Sequence, residues 1–277
     1  KSLAEPYKRK MRIIIPAGFV FFIGALTLLW ALTSIPEDDR SLQPSGSVTL
    51  VVVAGQSNAT SRAPDGDASL AAPVSGIYQI ARTGKGIEPV VVAAEPLQHW
   101  DVTPQGIGFG FAFAKHYKAH HPDRDIIIIP AAKGETGLGP EEWGAGGNLN
   151  TDLVARVNSI AARYEIDQCA FLWHQGENEV VAGSDAYGHD IAVSFSAMKA
   201  GAPTLRSCTF LVGGLADSFV ADHKGETVTA ALRSIPETIF VDASGLRTMD
   251  GVHFTAAAQI EFGRRFFEAY ASTEAGR

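Results

Sequence analysis

Four short stretches of the chain carry residue types that do chemistry. Gly55-Gln56-Ser57-Asn58 follows at once on the apolar, β-branched run 48–54 (VTLVVVA). Pro130 to Gly137, with Lys133-Gly134-Glu135, follows the isoleucine run 126–129. His174-Gln175-Gly176-Glu177-Asn178 follows 171–173 (FLW), and Asp250-Gly251-Val252-His253 comes after 240–241 (FV). A serine hydroxyl is a weak nucleophile at neutral pH and needs an adjacent base. Asp250 and His253 are three residues apart, which fits one tight turn. The carboxylate can then accept from the imidazole Nδ1–H and leave Nε2 to take a proton from Ser57. A glycine N–H in the stretch 130–137 and the amide of Gln175 are candidate donors to an oxyanion. Taken alone, Ser57 and Asn58 also suit a helix cap, and Asp250-Gly251 a plain turn.

These stretches share a position because of the elements that carry them. Continuous apolar runs read as strands buried on both faces of a parallel sheet, most clearly where valine and isoleucine dominate. Such runs occur at 48–54, 125–129, 169–173, 208–212 and 237–241, and short strands are expected near 76–80 and 88–93. Helical patterns fall between them at 111–119, 151–164, 184–200, 226–234 and 255–270. Alternating strands and helices predict a three-layer α/β/α sandwich with a mostly parallel sheet of about five strands. Each chemical stretch then lies at a carboxyl strand end, where open α/β sheets bind ligands.

The chain is 277 residues long, with net charge −7, 46% hydrophobic and 19% charged residues. That composition suits a globular domain with a real core and speaks against a nucleic-acid partner. Residues 1–12 are basic, and residues 13–36 carry no charge. The latter run is long enough to cross a bilayer as one helix. Basic residues before it and Glu37-Asp38-Asp39 after it predict the amino end inside and the rest outside, with a cleaved signal peptide as the second reading. Residues 37–47 read as a linker, and 48–277 as the catalytic domain. Two cysteines, Cys169 and Cys208, either pair as a disulfide across neighbouring strands or stay as buried thiols.

The motifs and their order resemble the SGNH (GDSL-like) hydrolase superfamily, in the branch of carbohydrate esterase family 6 and the sialate O-acetylesterases. There the nucleophile block reads Gly-Gln-Ser-Asn, a middle block Gln-Gly-Glu, and the last block Asp-x-x-His. The resemblance covers the chain from about Val48 to the last helix. It implies a flavodoxin-like fold and a carboxylic ester hydrolase. Ser57 would be the nucleophile, His253 the base and Asp250 its orienting acid. The oxyanion hole would comprise the N–H groups of Ser57 and Gly134 and the side chain of Gln175. The chain departs from the family at Ala59, where methionine is common. It also departs at Gly134-Glu135, where two glycines are usual, and at Asn178-Glu179, where serine-asparagine is usual.

The expected reaction is removal of O-acetyl groups from a carbohydrate of acetylxylan, sialic acid or cell-surface polysaccharide type, with no cofactor and no metal. Gln56, Asn58 and Glu177 are expected to support the substrate or the loops. Trp143, in a glycine-rich loop, is the aromatic expected to meet the sugar. Two other readings keep the same residues: a glycan O-acetyltransferase, and a membrane-anchored glycan-binding protein with a dead site. Gly106-x-Gly108-x-Gly110 is no dinucleotide fingerprint, because no strand leads into it.

Overall fold

The buried run 48–55 makes the central strand. All eight of its residues are buried, as the lack of polar alternation requires. The computed structural model describes residues 43–64, 68–84, 88–101 and 106–274. The expectations for residues 1–12 and 13–36, and for 37–42 of the linker, lie outside the described residues. Among the described residues no helix is long and apolar enough to cross a membrane.

The strands are β1 (Val48–Gly55), β2 (Ala63–Pro64), β3 (Ile77–Ile80), β4 (Val90–Val92), β5 (Gly106–Ile107), β6 (Asp125–Pro130), β7 (Ile166–His174), β8 (Thr209–Gly213) and β9 (Thr238–Val241). The helices are α1 (Ala68–Ala71), α2 (Phe109–His120), α3 (Asn148–Ala161), α4 (Glu177–Ala182), α5 (Tyr187–Gly201), α6 (Asp217–His223), α7 (Glu226–Ser234) and α8 (Ala256–Glu274). The main sheet has seven strands in the order β4-β3-β6-β1-β7-β8-β9. It is parallel except for the edge pair β3–β4. The expected count of about five strands omits the two short strands β3 and β4. β2 and β5 form a separate two-stranded ladder.

Successive residues on β7 show the three layers. Side chains alternate between the faces of a strand. Trp173 packs edge-on against Phe195 of α5, whereas His174 meets Phe109 of α2 and Phe262 of α8. One helical layer therefore contains α5 and the other contains α2 and α8. Gly110 of α2 lies so close to β1 that a Cβ there would be 2.6 Å from Val53. β1 has β6 on one side and β7 on the other, which makes its carboxyl end the topological switch point.

The two cysteines form a disulfide. Ala170 pairs with Thr209 in the parallel β7–β8 register, so the residues just before them, Cys169 and Cys208, are neighbours. Their Cα atoms are 4.4 Å apart and the sulfurs are bonded.

Candidate active site

β1 ends at Gly55, whose φ of +123° few other residues adopt. A Cβ there would sit 2.0 Å from the carbonyl oxygen of His174. Only glycine therefore lets β1 run flush against the end of β7. The Gln56 N–H donates to that same carbonyl at 2.9 Å, and a 3₁₀ turn over Ser57–Ala59 begins at once. Ser57 opens the turn, where the first N–H groups have no acceptor inside it.

The loop before α8 brings a base to this serine. The Thr248–Phe254 bridge closes the loop, and Met249 N–H donates to His253 O at 2.7 Å. Inside it, Asp250 Oδ1 accepts the N–H groups of Val252 (3.0 Å) and His253 (2.7 Å). Its Oδ2 accepts from His253 Nδ1 at 2.7 Å. Partial burial works to raise the Asp250 pKa. The hydrogen bonds from His253 and Val252 outweigh it and hold the value at about 2. The carboxylate is thus ionised at neutral pH and keeps the imidazole proton on Nδ1. Nε2 is left to accept from Ser57 Oγ–H, 3.1 Å away.

Asn58 locks the two loops together. Its Nδ2 donates to Glu177 Oε1 (3.0 Å) and Val252 O (3.1 Å), and its Oδ1 accepts the N–H of Phe254 (3.0 Å). Gln259 of α8 donates to Asn58 O at 2.9 Å. One buried asparagine therefore joins the nucleophile turn, the first turn of α4 and the histidine loop.

The expected oxyanion donors are arranged differently. Gln175 is fully buried, and its Nε2 faces Gln56 Oε1 (3.3 Å), Thr136 O (3.3 Å) and the carboxylate of Glu179. Glu179, one of the positions where the chain departs from the family pattern, accepts from this amide. The Gly134 N–H donates to Asp101 Oδ2 at 2.6 Å. Both donors expected beside Ser57 N–H are therefore committed to protein acceptors. Gln56 shows the reverse. Its Oε1 accepts from Gln175, and its NH₂ makes no hydrogen bond among the described residues while the residue lines the cleft at Ser57.

Residues 47–272 match the family model described as carbohydrate esterase, sialic acid-specific acetylesterase. The chain belongs to that family. It is a carboxylic ester hydrolase of the SGNH type. No curated protein matches the sequence. Among solved structures, a protein from Arabidopsis thaliana is 25% identical with a TM-score of 0.70, over 83% of this chain and 99% of that one. NanS superposes with a TM-score of 0.72 at 18% identity, over 85% of this chain and all of its own. A carbohydrate acetylesterase from Xanthomonas citri gives 0.57 at 17% identity, over 83% of this chain and 57% of its own.

The cleft of this esterase at Ser57 and His253 is small, about 190 Å³, and is lined by Gln56, Arg62, Glu135, Glu177, Asn178 and Val252 among others. Arg62 was not singled out by the sequence, because a lone arginine in a polar loop carries no signal. Among the described residues its guanidinium has no ion-pair partner, and its Nε is buried without a hydrogen bond. Trp143 does not reach the cleft. It is fully buried, donates from Nε1 to Thr136 Oγ1 at 3.0 Å and packs edge-on against Trp173. Its glycine-rich loop folds the indole inward, so the expectation that it meets sugar is corrected.

One buried histidine holds the backbone of Ala132, two residues before Gly134. His99 Nδ1 accepts the N–H of Ala132 at 3.1 Å, and Trp100 N–H donates to Ala132 O. Burial holds His99 neutral, with a pKa of about 3, and Arg82 and Arg156 act in the same direction. Burial pushes nearby Glu95 up to about 7 against its hydrogen bonds. The signs follow from linkage. His99 makes the folded state lose stability as pH falls from about 6.5 to about 3, because only the unfolded chain takes up the proton. Glu95 acts oppositely between about 7 and 4.5, where only the unfolded chain ionises. The two oppose each other above about pH 4.5, and His99 acts alone below it. Urea unfolding at pH 7, 5 and 3 is expected to show a smaller low-pH loss in a His99→Gln variant than in the parent. The difference reaches at most about 4–5 kcal/mol. Parallel pH curves for the two proteins would refute the assignment.

Proposed function

We propose that this esterase removes O-acetyl groups from a carbohydrate through an acetyl-enzyme on Ser57. The observation that carries the reading is the hydrogen-bonded line from Asp250 to His253 (2.7 Å) to Ser57 (3.1 Å). Ser57 Oγ attacks the acetyl carbonyl carbon as its proton passes to His253 Nε2. The imidazolium that forms faces the ionised Asp250. The tetrahedral intermediate then collapses, the sugar oxygen leaves, and His253 returns the proton to it. Water, deprotonated by His253, attacks the acetyl-enzyme and releases acetate and free Ser57.

The oxyanion would receive Ser57 N–H together with the NH₂ of Gln56, the amide left without a protein partner. Gly134 N–H joins them only when Asp101 releases it. Gln175 acts one step back, by holding Gln56 Oε1. A cleft of about 190 Å³ lies below the roughly 300–1,000 Å³ usual for small-molecule pockets, which suits an acetyl group rather than a long acyl chain. The family description supports a sugar as the alcohol. The Cys169–Cys208 disulfide and the uncharged run at 13–36 support a catalytic domain outside the cytoplasm, held to the membrane by that run.

The test is acetate release from O-acetylated sugars, with fluorophosphonate labelling read by peptide mapping. Acetate release with the label on Ser57 is the expected result. Labelling elsewhere, or transfer of acetyl only to a glycan acceptor, would replace the proposal.

A further inference from the structure

The Ser57 cleft, at about 190 Å³, has room for the acyl group and about one sugar ring, so further units of a glycan must lie elsewhere. A second, larger cleft opens beside it. It encloses about 740 Å³ and is lined by Trp100, Lys133, Glu141, Asn148, Thr151 and Asp152 among others. The two clefts share one strip of chain. Trp100 N–H donates to Ala132 O, and the Gly134 N–H donates to Asp101, so 100–101 runs alongside 132–134. On that strip Lys133 lines the large cleft, whereas Glu135 lines the cleft at Ser57.

Trp100 is 38% exposed, whereas Trp143 and Trp173 are fully buried. It is also held in place. The Arg82 guanidinium lies 4.2 Å from the ring centroid and is itself fixed by Asp152 at 2.9 Å. An exposed indole braced in this way loses little freedom when a ligand arrives. Lys133, Glu141 and Asn148 make no ion pair or side-chain hydrogen bond among the described residues, although the Lys133 ammonium lies 5.9 Å from the Trp100 ring. A cation, a carboxylate and an amide with free hydrogen-bonding capacity line one cleft with an exposed aromatic ring. That combination matches a chain of pyranose units, with C–H faces for the indole and hydroxyl pairs for the polar groups. A purely apolar ligand would leave those polar groups unpaired, which costs free energy.

We propose that the Trp100 cleft is a binding subsite for an oligosaccharide chain whose acetylated unit reaches Ser57. The substrate is then a chain of several sugars rather than a free monosaccharide. This rests on the esterase reading for its chemistry, but binding can be measured without catalysis. The Ser57→Ala protein is applied to an array of unacetylated oligosaccharides of one to six units, next to Ser57→Ala/Trp100→Ala and Ser57→Ala/Asn148→Ala. The expected result is retention of chains longer than two units, weakened about three- to tenfold without Trp100. Hydrolysis of 4-nitrophenyl acetate by the single variants Trp100→Ala and Asn148→Ala should stay within twofold of the parent. No retained glycan, retention of monosaccharides alone, or equal binding by all three proteins would overturn the subsite. A comparable loss of both glycan binding and small-ester turnover would also overturn it, as damage to the 132–134 strip. Absence of acetate release with glycan binding intact would overturn the esterase reading and leave the subsite standing.

Discussion

Ser57→Ala lowers turnover of 4-nitrophenyl acetate by roughly 10⁴- to 10⁶-fold, to the residual level that binding and oxyanion donors alone support. The size follows from the geometry. Ser57 Oγ is the atom that His253 Nε2 faces at 3.1 Å, and both residues line the cleft. The loss should fall on kcat, because the hydroxyl contributes to the bond being made rather than to sugar binding. The fold should be unaffected. The turn is held by Gln56 N–H on His174 O, Thr60 Oγ1 on Ser57 O and the four bonds of Asn58, none of which uses Ser57 Oγ. Turnover by the variant within tenfold of the parent, at an unchanged melting temperature, would remove Ser57 from the mechanism.

Loss of the disulfide has the largest expected effect on stability at neutral pH. Cys169 and Cys208 are 39 positions apart, and closing a loop of that size stabilises the folded state by about 4 kcal/mol in the chain-entropy model. For a domain of this length the melting temperature of Cys169→Ala/Cys208→Ala should fall by roughly 10 °C. The loop contains α4 and α5, and with them Gln175, Glu177 and Glu179. Ser57, Asp250 and His253 lie outside it, so kcat at 25 °C should hardly change. Calorimetry of the two proteins, with the parent repeated under reductant, checks the expectation. Identical melting temperatures would show that the bond adds nothing to the folded state.

Some parts of the structure are legible in the residues and others are not. Strands β1 and β6–β9 stand out because each carries a short unbroken apolar run, which suits a strand covered by helices in a parallel sheet. α7 was expected at its observed bounds, and α2, α3, α5 and α8 to within a few residues. α4 and α6 were missed, since six or seven residues are too few to show a helical period. The triad candidates were legible for a topological reason. A parallel sheet collects the carboxyl ends of its strands on one edge, so motifs far apart in the chain meet there.

The donors around the triad were not legible. Whether an amide faces a cleft depends on which acceptor competes for it, and the competitors come from elsewhere in the chain. Asp101 takes the Gly134 N–H across 33 residues, and Glu179 takes the amide of Gln175. Trp143 failed for the same reason. A glycine-rich loop looks exposed in sequence, yet Thr136 and Trp173 bury its indole.

The sequence by itself determined the chemistry available: a serine just past one strand of a parallel sheet, and an aspartate and a histidine in the stretch between a later strand and the last helix. Only the tertiary structure decided which of the expected N–H donors are taken by protein acceptors and, among the described residues, which tryptophan meets solvent. Strand burial follows from local apolar pattern, whereas hydrogen-bond pairing and side-chain exposure are settled by contacts between distant segments.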